Sequence, residues 1–265
     1  MIITSSANPQ VKAIRKLRER KERQQSGLFY VEGLRIVGEA IGMDEKIQTL
    51  VAAPELLSSD FGRGLLAQAR QKNIPILEVS ADVFAGLALK EGPQGLAAII
   101  HQNFQELERV RLSGHDLWVA LDSVADPGNL GTILRTLDSV GGKGIILLDQ
   151  STDPYDPTAT RASMGALFSL ALVKTTFEVF AAWKKDQHVS LIGTSGAAST
   201  DYHQMLYPDH FILLMGSERH GLLEHHLRLC DAVVSIPMVG KSDSLNLAVS
   251  TAVVLYEVFN QRRDR

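Results

Sequence analysis

Short apolar runs alternate along the chain with longer stretches whose apolar residues recur at helical spacing. The apolar runs predict strands, and the stretches between them predict helices. The predicted strands cover residues 29–33, 47–53, 74–79, 95–101, 117–122, 144–148, 170–174, 190–193, 211–215 and 233–238. The predicted helices cover residues 34–41, 61–72, 81–89, 129–140, 158–167, 177–185, 222–229 and 244–257. This alternation predicts an α/β protein, with a small α/β layer first and a parallel sheet covered on both faces in the second half.

The last predicted helix, over residues 244–257, has one apolar face at i, i+3, i+4, i+7, i+8 and i+11 spacing. The residues of this face are Leu245, Ala248, Val249, Ala252, Val253 and Tyr256. The helix follows the apolar strand 233–238, and its start is polar and small. A strand that leads through a loop to a helix N-terminus is where α/β proteins bind ligands.

The composition is that of a globular protein, with 45% apolar and 22% charged residues in a chain of 265. No run approaches the ~20 apolar residues of a membrane helix, and the N-terminus lacks the features of a secretory signal. Cys230 is the only cysteine, which excludes an internal disulfide and a multi-cysteine metal site. We therefore expect a reducing, cytoplasmic setting, no membrane contact and no metal, since none of the eight His has a convincing zinc spacing.

The net charge of -3 hides a strongly basic segment near the N-terminus. Its cationic residues are Lys12, Arg15, Lys16, Arg18, Arg20, Lys21 and Arg23. A basic arm on an acidic body predicts phosphate contact, although a solvated amphipathic helix explains these charges equally well. We predict this arm at 1–28, an α/β domain at 29–101, a polar linker at 102–114 and a second domain at 115–265.

Three strand–loop–helix stretches carry the candidate chemistry. In the first, Asn129 can cap a helix, and Arg135 lies off its buried stripe, where it can point across the strand ends. In the second, Gly216 ends a strand and allows a ligand to approach the backbone, with Glu218 beside it as an anchor or an acid. The third begins at Ser244. Each stretch alone also fits an ordinary turn, cap or solvated side chain, and neither the dinucleotide fingerprint nor the phosphate loop is present.

Taken in order, the three stretches resemble the three motifs of the SpoU (TrmH) family of RNA ribose 2′-O-methyltransferases, in the SPOUT class. The motifs read Asp126-Pro-Gly-Asn-Leu-Gly with Arg135, then Gly216-Ser-Glu-x-x-Gly-Leu, then Ser244-Leu-Asn-Leu-Ala. Further stretches resemble other parts of the family and its substrate-binding domain, namely Ser5–Pro9 with the basic arm, Phe29–Arg35, Gly92–Ala97 and Arg161–Phe168. The resemblance covers nearly the whole chain.

The resemblance implies a C-terminal segment threaded into a deep trefoil knot, a homodimer with the active site at its interface, and S-adenosylmethionine bound at the knot. The implied cofactor-binding residues are Thr194, Gly196, Leu214, Gly216, Ile236, Met238, Leu245 and Leu247.

The implied catalytic residues are Arg135, Asn129, Glu218, Ser244 and Asn246. Because a guanidinium with a pKa above ~12 hardly loses its proton, we expect Arg135 to act as a forked donor to an RNA phosphate and to the developing alkoxide. We expect Asn129 to hold the first loop and Arg135, and Glu218 to orient Arg135 or the RNA. Ser244 and Asn246 would fix the knot loop, with Asn246 near the ribose.

The expected substrate is structured RNA, bound by the basic arm and Arg35. The two-domain layout favours ribosomal RNA, with transfer RNA as the alternative. A non-catalytic RNA-binding or ribosome assembly protein on the same fold stays open. An ordinary nucleotide-dependent doubly wound enzyme is disfavoured, because the glycine fingerprint is missing.

Overall fold

A computed structural model of the chain describes residues 2–89 and 91–263, and the described residues confirm the α/β alternation. The helices of the first hundred residues are α1 (Pro9–Lys16), α2 (Arg20–Ser26), α3 (Leu34–Gly42), α4 (Asp60–Gln71) and α5 (Ala81–Leu87). The strands there are β1 (Leu28–Glu32), β2 (Ile47–Ala52), β3 (Ile76–Glu78) and β4 (Leu96–His101). The later helices are α6 (Pro127–Ser139), α7 (Pro157–Ser163), α8 (Phe177–Gln187), α9 (Glu224–Leu229) and α10 (Leu247–Arg263). The later strands are β5 (Leu117–Asp122), β6 (Gly144–Leu148), β7 (Ala171–Thr175), β8 (Leu191–Thr194), β9 (Thr200–Asp201), β10 (Phe211–Met215) and β11 (Ala232–Ser235).

The chain folds as two compact units whose boundaries differ from those expected. The first unit runs to Gln102 and takes in Asp153–Phe168, which were expected in the second domain. The second unit consists of Asn103–Thr152 and the chain from Ser169 onward. The stretch 102–114 is not a free linker, because Leu107 and Val110 are buried in the core of the second unit.

In the first unit, the described strands form a sheet in the order β1-β4-β2-β3. Strand β4 is antiparallel to both of its neighbours, and β2 and β3 are parallel. The basic arm is a folded part of this unit, since Val11, Ile14 and Leu17 are buried in the same core as Phe84 of α5. The Arg18 guanidinium donates to the carbonyls of Leu87 and its neighbours at the end of α5, where orphan acceptors need donors.

Arg23 is buried with an exposed fraction of only 1%, so the prediction that it contacts RNA is wrong for this structure. Its Nε donates to Asp153 Oδ2 at 2.8 Å, and its Nη1 donates to the carbonyls of Leu17 at 3.0 Å and Arg18 at 2.7 Å. Asp156 lies 3.4 Å from Nη2. This buried ion pair holds the start of the 153–168 segment in the first unit, which explains the unexpected boundary.

The second unit contains the predicted parallel sheet. Its described strands lie in the order β7-β6-β5-β10-β8-β11-β9, and every pairing between them is parallel. In a parallel sheet the carboxyl ends of all strands meet at one edge. The loops after β5, β10, β8 and β11, strands that neighbour one another, therefore leave the sheet side by side, in the position where ligands bind in α/β proteins.

Helix α10 begins at Leu247 rather than Ser244, and the face predicted to be buried is not the face that packs. The residues buried within the chain are Leu247, Ala248, Thr251, Val254, Leu255 and Val258. Of the predicted face, Leu245, Val249 and Tyr256 are exposed by 39%, 49% and 47%. The two faces are offset by two residues, about 200° around a helix. The helix is therefore apolar on two opposed sides, and periodicity alone selected the outer one.

The buried Arg23 yields the first prediction. Arg23→Ala leaves Asp153 buried without its ion-pair partner, which costs about 3–5 kcal/mol of unfolding free energy. Lys21→Ala, a change at an exposed neighbour in the same helix, stays within about 0.5 kcal/mol of the parent protein. Urea unfolding of the three proteins measures the difference. Equal stabilities for the two variants would contradict the role assigned to Arg23.

Candidate active site

The loop between β5 and α6 is closed by Asp126 rather than by Asn129, the expected cap. Asp126 Oδ1 accepts a hydrogen bond of 2.6 Å from the Gly128 amide, and Pro127 occupies the first helical position, where its missing amide is harmless. Because Asp126 caps the helix, the side chain of Asn129 is available for contacts outside α6.

The loop after β10 is a tight turn from Gly216 to Gly221. The Gly221 amide donates to the Ser217 carbonyl at 2.9 Å, and Gly221 has a φ of +62°. A Cβ on Gly216 would lie 2.0 Å from the Gly221 carbonyl carbon. The expected reason for Gly216 was close approach of a ligand. The structure gives a different one, because only glycine lets the loop fold back onto its own start.

Asn246 caps α10, although the sequence placed it inside the first turn. Its Oδ1 accepts from the amides of Ala248 at 2.9 Å and Val249 at 3.3 Å. Ser244, where the sequence predicted the helix to begin, lies before it and donates from its hydroxyl to Asp243. The cap uses the oxygen of the Asn246 side chain and leaves its NH2 group to bind elsewhere.

Three side chains join the three loops in one line of hydrogen bonds. Asn246 Nδ2 donates to Asn129 Oδ1 at 3.0 Å, and Asn129 Nδ2 donates to Glu218 Oε1 at 3.2 Å. The Glu218 carboxylate also accepts from the amides of Ala125 at 3.1 Å and Asp126 at 3.3 Å. These partners take the place of Arg135, which Glu218 was expected to orient. The three motifs thus meet at the carboxyl edge of the sheet.

The hydrogen bonds around Glu218 decide its protonation. Burial acts to raise the pKa of this carboxyl, but the amides of Glu218 itself and Ala125, the Asn129 side chain and the Asp126 amide together lower the pKa below its ordinary value. The donors favour the charged form, so Glu218 is a carboxylate at neutral pH.

Two adjoining cavities of about 460 Å³ and 450 Å³ lie beside this line. Both are lined by Thr194, Gly221, Asp243, Ser244, Leu245 and Ser250. The first also contains Gly196, Ile236 and Met238, and the second Gly216, Leu247 and Asn246. All the residues expected to bind the cofactor line these cavities except Leu214.

Leu214 lies inside β10 with no exposed surface, in the core of the second unit, because inward positions of a central strand pack against the helices. Asp243 and Ser250 also line both cavities but were not among the residues expected at the site. Ser250 follows Asn246 by four residues, so its position one helical turn away was the signal that would have identified it.

Arg135 is exposed on α6 and lines neither cavity. Its side chain makes no hydrogen bond or ion pair with any residue that the structure describes. The structure of a single chain therefore brings Asn129, Glu218, Ser244 and Asn246 together but leaves Arg135 apart from them.

Some of the residues expected to bind RNA are bonded within the protein, and the others are accessible at its surface. Arg18 and Arg23 are engaged within the first unit as described above. Lys12 and Lys16 line a groove of about 560 Å³ in that unit, and the side chains of Lys21 and Arg35 are exposed. Arg20 is exposed as well, and Arg15 is half-buried near Gly86.

Within residues 2–89 and 91–263, no helix combines the length and apolar character needed to cross a membrane. In the same residues, no three His, Cys, Asp or Glu side chains are grouped so as to hold a metal ion.

A parallel sheet of this order, with three motif loops joined at its carboxyl edge, defines an α/β protein of the SPOUT class. The chain belongs to the SpoU rRNA methylase family, which it matches over residues 116–256. Residues 8–98 match the MRM3-like substrate binding domain.

Similar proteins extend over nearly the whole chain. A 23S rRNA (uridine(2479)-2′-O)-methyltransferase of Streptomyces viridochromogenes is 32% identical, over 93% of this chain and 87% of that protein. The 23S rRNA (guanosine(2553)-2′-O)-methyltransferase RlmP of Bacillus subtilis is 28% identical, over 97% and 98%. The crystal structure of an AdoMet-bound rRNA methyltransferase from Sinorhizobium meliloti superimposes with a TM-score of 0.90 at 36% identity, covering 100% of this chain and 98% of that one.

The Glu218 network generates a pH-dependent prediction. Glu218→Gln places an amide against the Ala125 and Asp126 donors and lowers the unfolding free energy at pH 7 by roughly 1 kcal/mol for this exposed group. Because the folded-state pKa is lowered, the stabilisation is complete above the unfolded pKa of about 4.3 and is lost as the pH falls through the folded value.

Urea unfolding between pH 7 and pH 3 tests this. The difference in unfolding free energy between the parent protein and Glu218→Gln disappears at acidic pH. Asp186→Asn, an exposed acid-to-amide change in the same unit, has the same unfolding free energy as the parent protein throughout. A Glu218→Gln deficit of constant size across this range would refute the assignment.

Proposed function

We propose that this protein is an S-adenosylmethionine-dependent RNA methyltransferase that methylates a ribose 2′-hydroxyl of ribosomal RNA. The observation that carries the proposal is the line of hydrogen bonds from Asn246 through Asn129 to Glu218, which joins three family motifs beside a pair of cavities. The relatives whose names specify 23S rRNA 2′-O-methylation support ribosomal RNA over transfer RNA as the substrate.

The cavities suit the cofactor. Met238 and Leu245 are large apolar side chains with 38% and 39% of their surface accessible, and both line the first cavity. The position of a Cβ on Gly196 has no atom within 4 Å, so the backbone there is open to a ligand. Apolar walls with accessible backbone groups suit an adenosine. Thr194, Gly196, Ile236, Met238 and Leu245 would hold it.

S-adenosylmethionine bound there would supply a methyl group on its sulfonium sulfur. The ribose 2′-oxygen would form a bond to this methyl carbon as the carbon–sulfur bond breaks, S-adenosylhomocysteine would leave, and the hydroxyl proton would pass to water. Asn246 and Asn129 hold the loops of the third and first motifs against each other, and the Glu218 carboxylate holds the second to the first. Ser244 lines both cavities at the start of the third motif. The forked donors of Arg135 stabilise the charge that develops on the ribose oxygen and bind the neighbouring phosphate.

We propose that the protein acts as a homodimer and that Arg135 reaches the site across its interface. The outer apolar face of α10, with Val249, Tyr256 and Phe259 exposed, supports a second copy of the chain as its cover. The absence of Arg135 from the lining of both cavities in its own chain supports the same arrangement, since a partner chain then supplies the guanidinium that each site needs.

The trefoil knot and a cytoplasmic location complete the proposal. The loops of the second and third motifs line one cavity together, which is the arrangement expected where a C-terminal segment passes through a loop. Action on ribosomal RNA is consistent with the cytoplasm.

The role of Arg135 gives a direct test. We expect Arg135→Ala to lower methyl transfer at least about 100-fold, because it removes a donor to a developing oxyanion, and to leave methyl-donor affinity within about twofold. Transfer of tritium from labelled S-adenosylmethionine to protein-free 23S rRNA measures the first quantity, and isothermal titration measures the second.

Arg135→Lys keeps the positive charge but not the forked pair of donors. Its rate of methyl transfer should fall between those of the parent protein and Arg135→Ala. Arg228→Ala, which removes an exposed Arg of the same unit, should keep full activity. Full activity of Arg135→Ala would end the catalytic assignment. A parent protein that binds RNA and no methyl donor would instead favour a non-catalytic RNA-binding protein.

The dimer has its own prediction. Val249→Asp places a charge on the outer face of α10 and shifts the protein towards a monomer in sedimentation velocity, with loss of methyl transfer. Val179→Asp is the matched control on α8 and leaves the dimer intact, since Val179 is exposed by 48% and Val249 by 49%.

A mixture of Arg135→Ala and Asn246→Ala chains regains activity that neither has alone, because one site of a mixed dimer is complete. Failure of the mixture to regain activity contradicts a shared site.

A further inference from the structure

A separate pocket lies within the first unit and plays no part in the proposed chemistry. It is formed where β1 passes into α3, beside Gln94 and helix α7. Three stretches noted in the sequence contribute to it: Phe29–Arg35, Gly92–Ala97 and Arg161–Phe168. The last of these lies outside the match to the substrate binding domain, which covers residues 8–98, and joins the pocket because 153–168 folds with the first unit.

The pocket has an apolar lining and the size of a single ring. Val31, Ile36, Leu89 and Met164 supply the apolar surface, and the cavity has a volume of about 160 Å³. An apolar cavity of about 150 Å³ is enough to hold benzene in a protein. The pocket therefore has room for one flat ring.

Arg35 and Arg161 line this apolar pocket, and both are exposed. Neither guanidinium makes a hydrogen bond or an ion pair with a residue that the structure describes. Arg18 and Arg23 of the same unit, by contrast, donate hydrogen bonds to carbonyls and to a carboxylate. The structure thus places two guanidiniums, without a protein partner among the described residues, beside one apolar pocket.

Polar groups inside the pocket are held in place. The Gln94 carbonyl oxygen accepts from the Leu34 amide at 3.3 Å, which leaves the Gln94 NH2 group as a donor. Glu32 accepts from the Leu89 amide at 2.6 Å and adds an acceptor to the lining. A donor and an acceptor next to an apolar surface match the edge and the face of a nucleobase.

We propose that this pocket holds one unstacked nucleobase of the substrate RNA, and that Arg35 and Arg161 bind the phosphates on either side of it. Proteins that recognise RNA loops take up single bases in this way, with guanidiniums on the backbone. The inference rests on the proposed function in taking RNA as the substrate. It adds a contact that selects single-stranded RNA at a site other than the methyl-transfer cavities.

The test measures, by fluorescence anisotropy, the binding of two fluorescein-labelled RNAs to the whole protein. One RNA is a hairpin with a mixed-sequence single-stranded loop, and the other is a blunt duplex. We expect Arg161→Ala and Arg35→Ala each to weaken hairpin binding about 10-fold at about 100 mM KCl, since each removes a phosphate contact. Leu89→Trp fills the pocket and leaves both guanidiniums. It should weaken hairpin binding to a similar degree and leave duplex binding unchanged.

Lys46→Ala removes an exposed charge of the same unit that lines no part of the pocket, and it should change neither affinity by more than twofold. Urea midpoints establish that each variant is folded. If Leu89→Trp does not fold, cross-linking of a 4-thiouridine hairpin loop to the parent protein replaces it, with Met164 or Leu89 as the expected attachment site.

If the arginine variants lose hairpin binding but Leu89→Trp does not, or if the cross-link forms elsewhere, the arginines only contact phosphates at the surface. Either result would overturn the proposal. Unchanged binding in all variants would overturn it as well. Methyl-donor titration and methyl transfer by the parent protein separate this failure from failure of the proposed function, because a parent protein that methylates 23S rRNA shows that only the pocket was misassigned.

Discussion

The hydrogen bonds that run from Asn246 through Asn129 to Glu218 are the constraint on which the site depends. The three loops they join lie far apart in the sequence. The neighbouring strands bring these loops to one edge of the sheet, and the hydrogen bonds hold them against each other there. An asparagine carries a donor and an acceptor on one short side chain, so Asn129 can accept from one neighbour and donate to the other. An aspartate at this position would place a second carboxylate against Glu218, and a leucine would break both bonds.

The sequence predicted the alternation of strands and helices, because short apolar runs and cap-rich loops are local signals. The three stretches that meet at the site were identified by their resemblance to family motifs. The sequence did not predict which side of α10 packs within the chain. Periodicity reports that a face is apolar, and α10 has two such faces, one buried under its own domain and one left for another surface. The caps at Asp126 and Asn246 were misplaced for a related reason, since several adjacent Ser, Asp and Asn residues are equally able to cap a helix.

The run of positive charge near the N-terminus shows a second limit. Composition counts Arg23 and Lys21 as equivalent, but one is buried against carboxylates 130 residues later in the chain and the other is exposed. Long-range partners of this kind leave no mark on local sequence. For the same reason local sequence did not predict the pocket position of Arg161, which follows from the folding of α7 with the first unit.

The interleaving of the two units has a consequence for how such a chain can change over time. Residues 153–168 are encoded within the stretch that builds the parallel sheet, yet they hold the counter-charge of Arg23, and Tyr155 packs its ring 4.5 Å from that of Phe29. A recombination event that exchanged the first hundred residues for those of another protein would leave this segment without Arg23 and Phe29, the partners against which it packs. The two halves must therefore be inherited, and must diverge, as a pair.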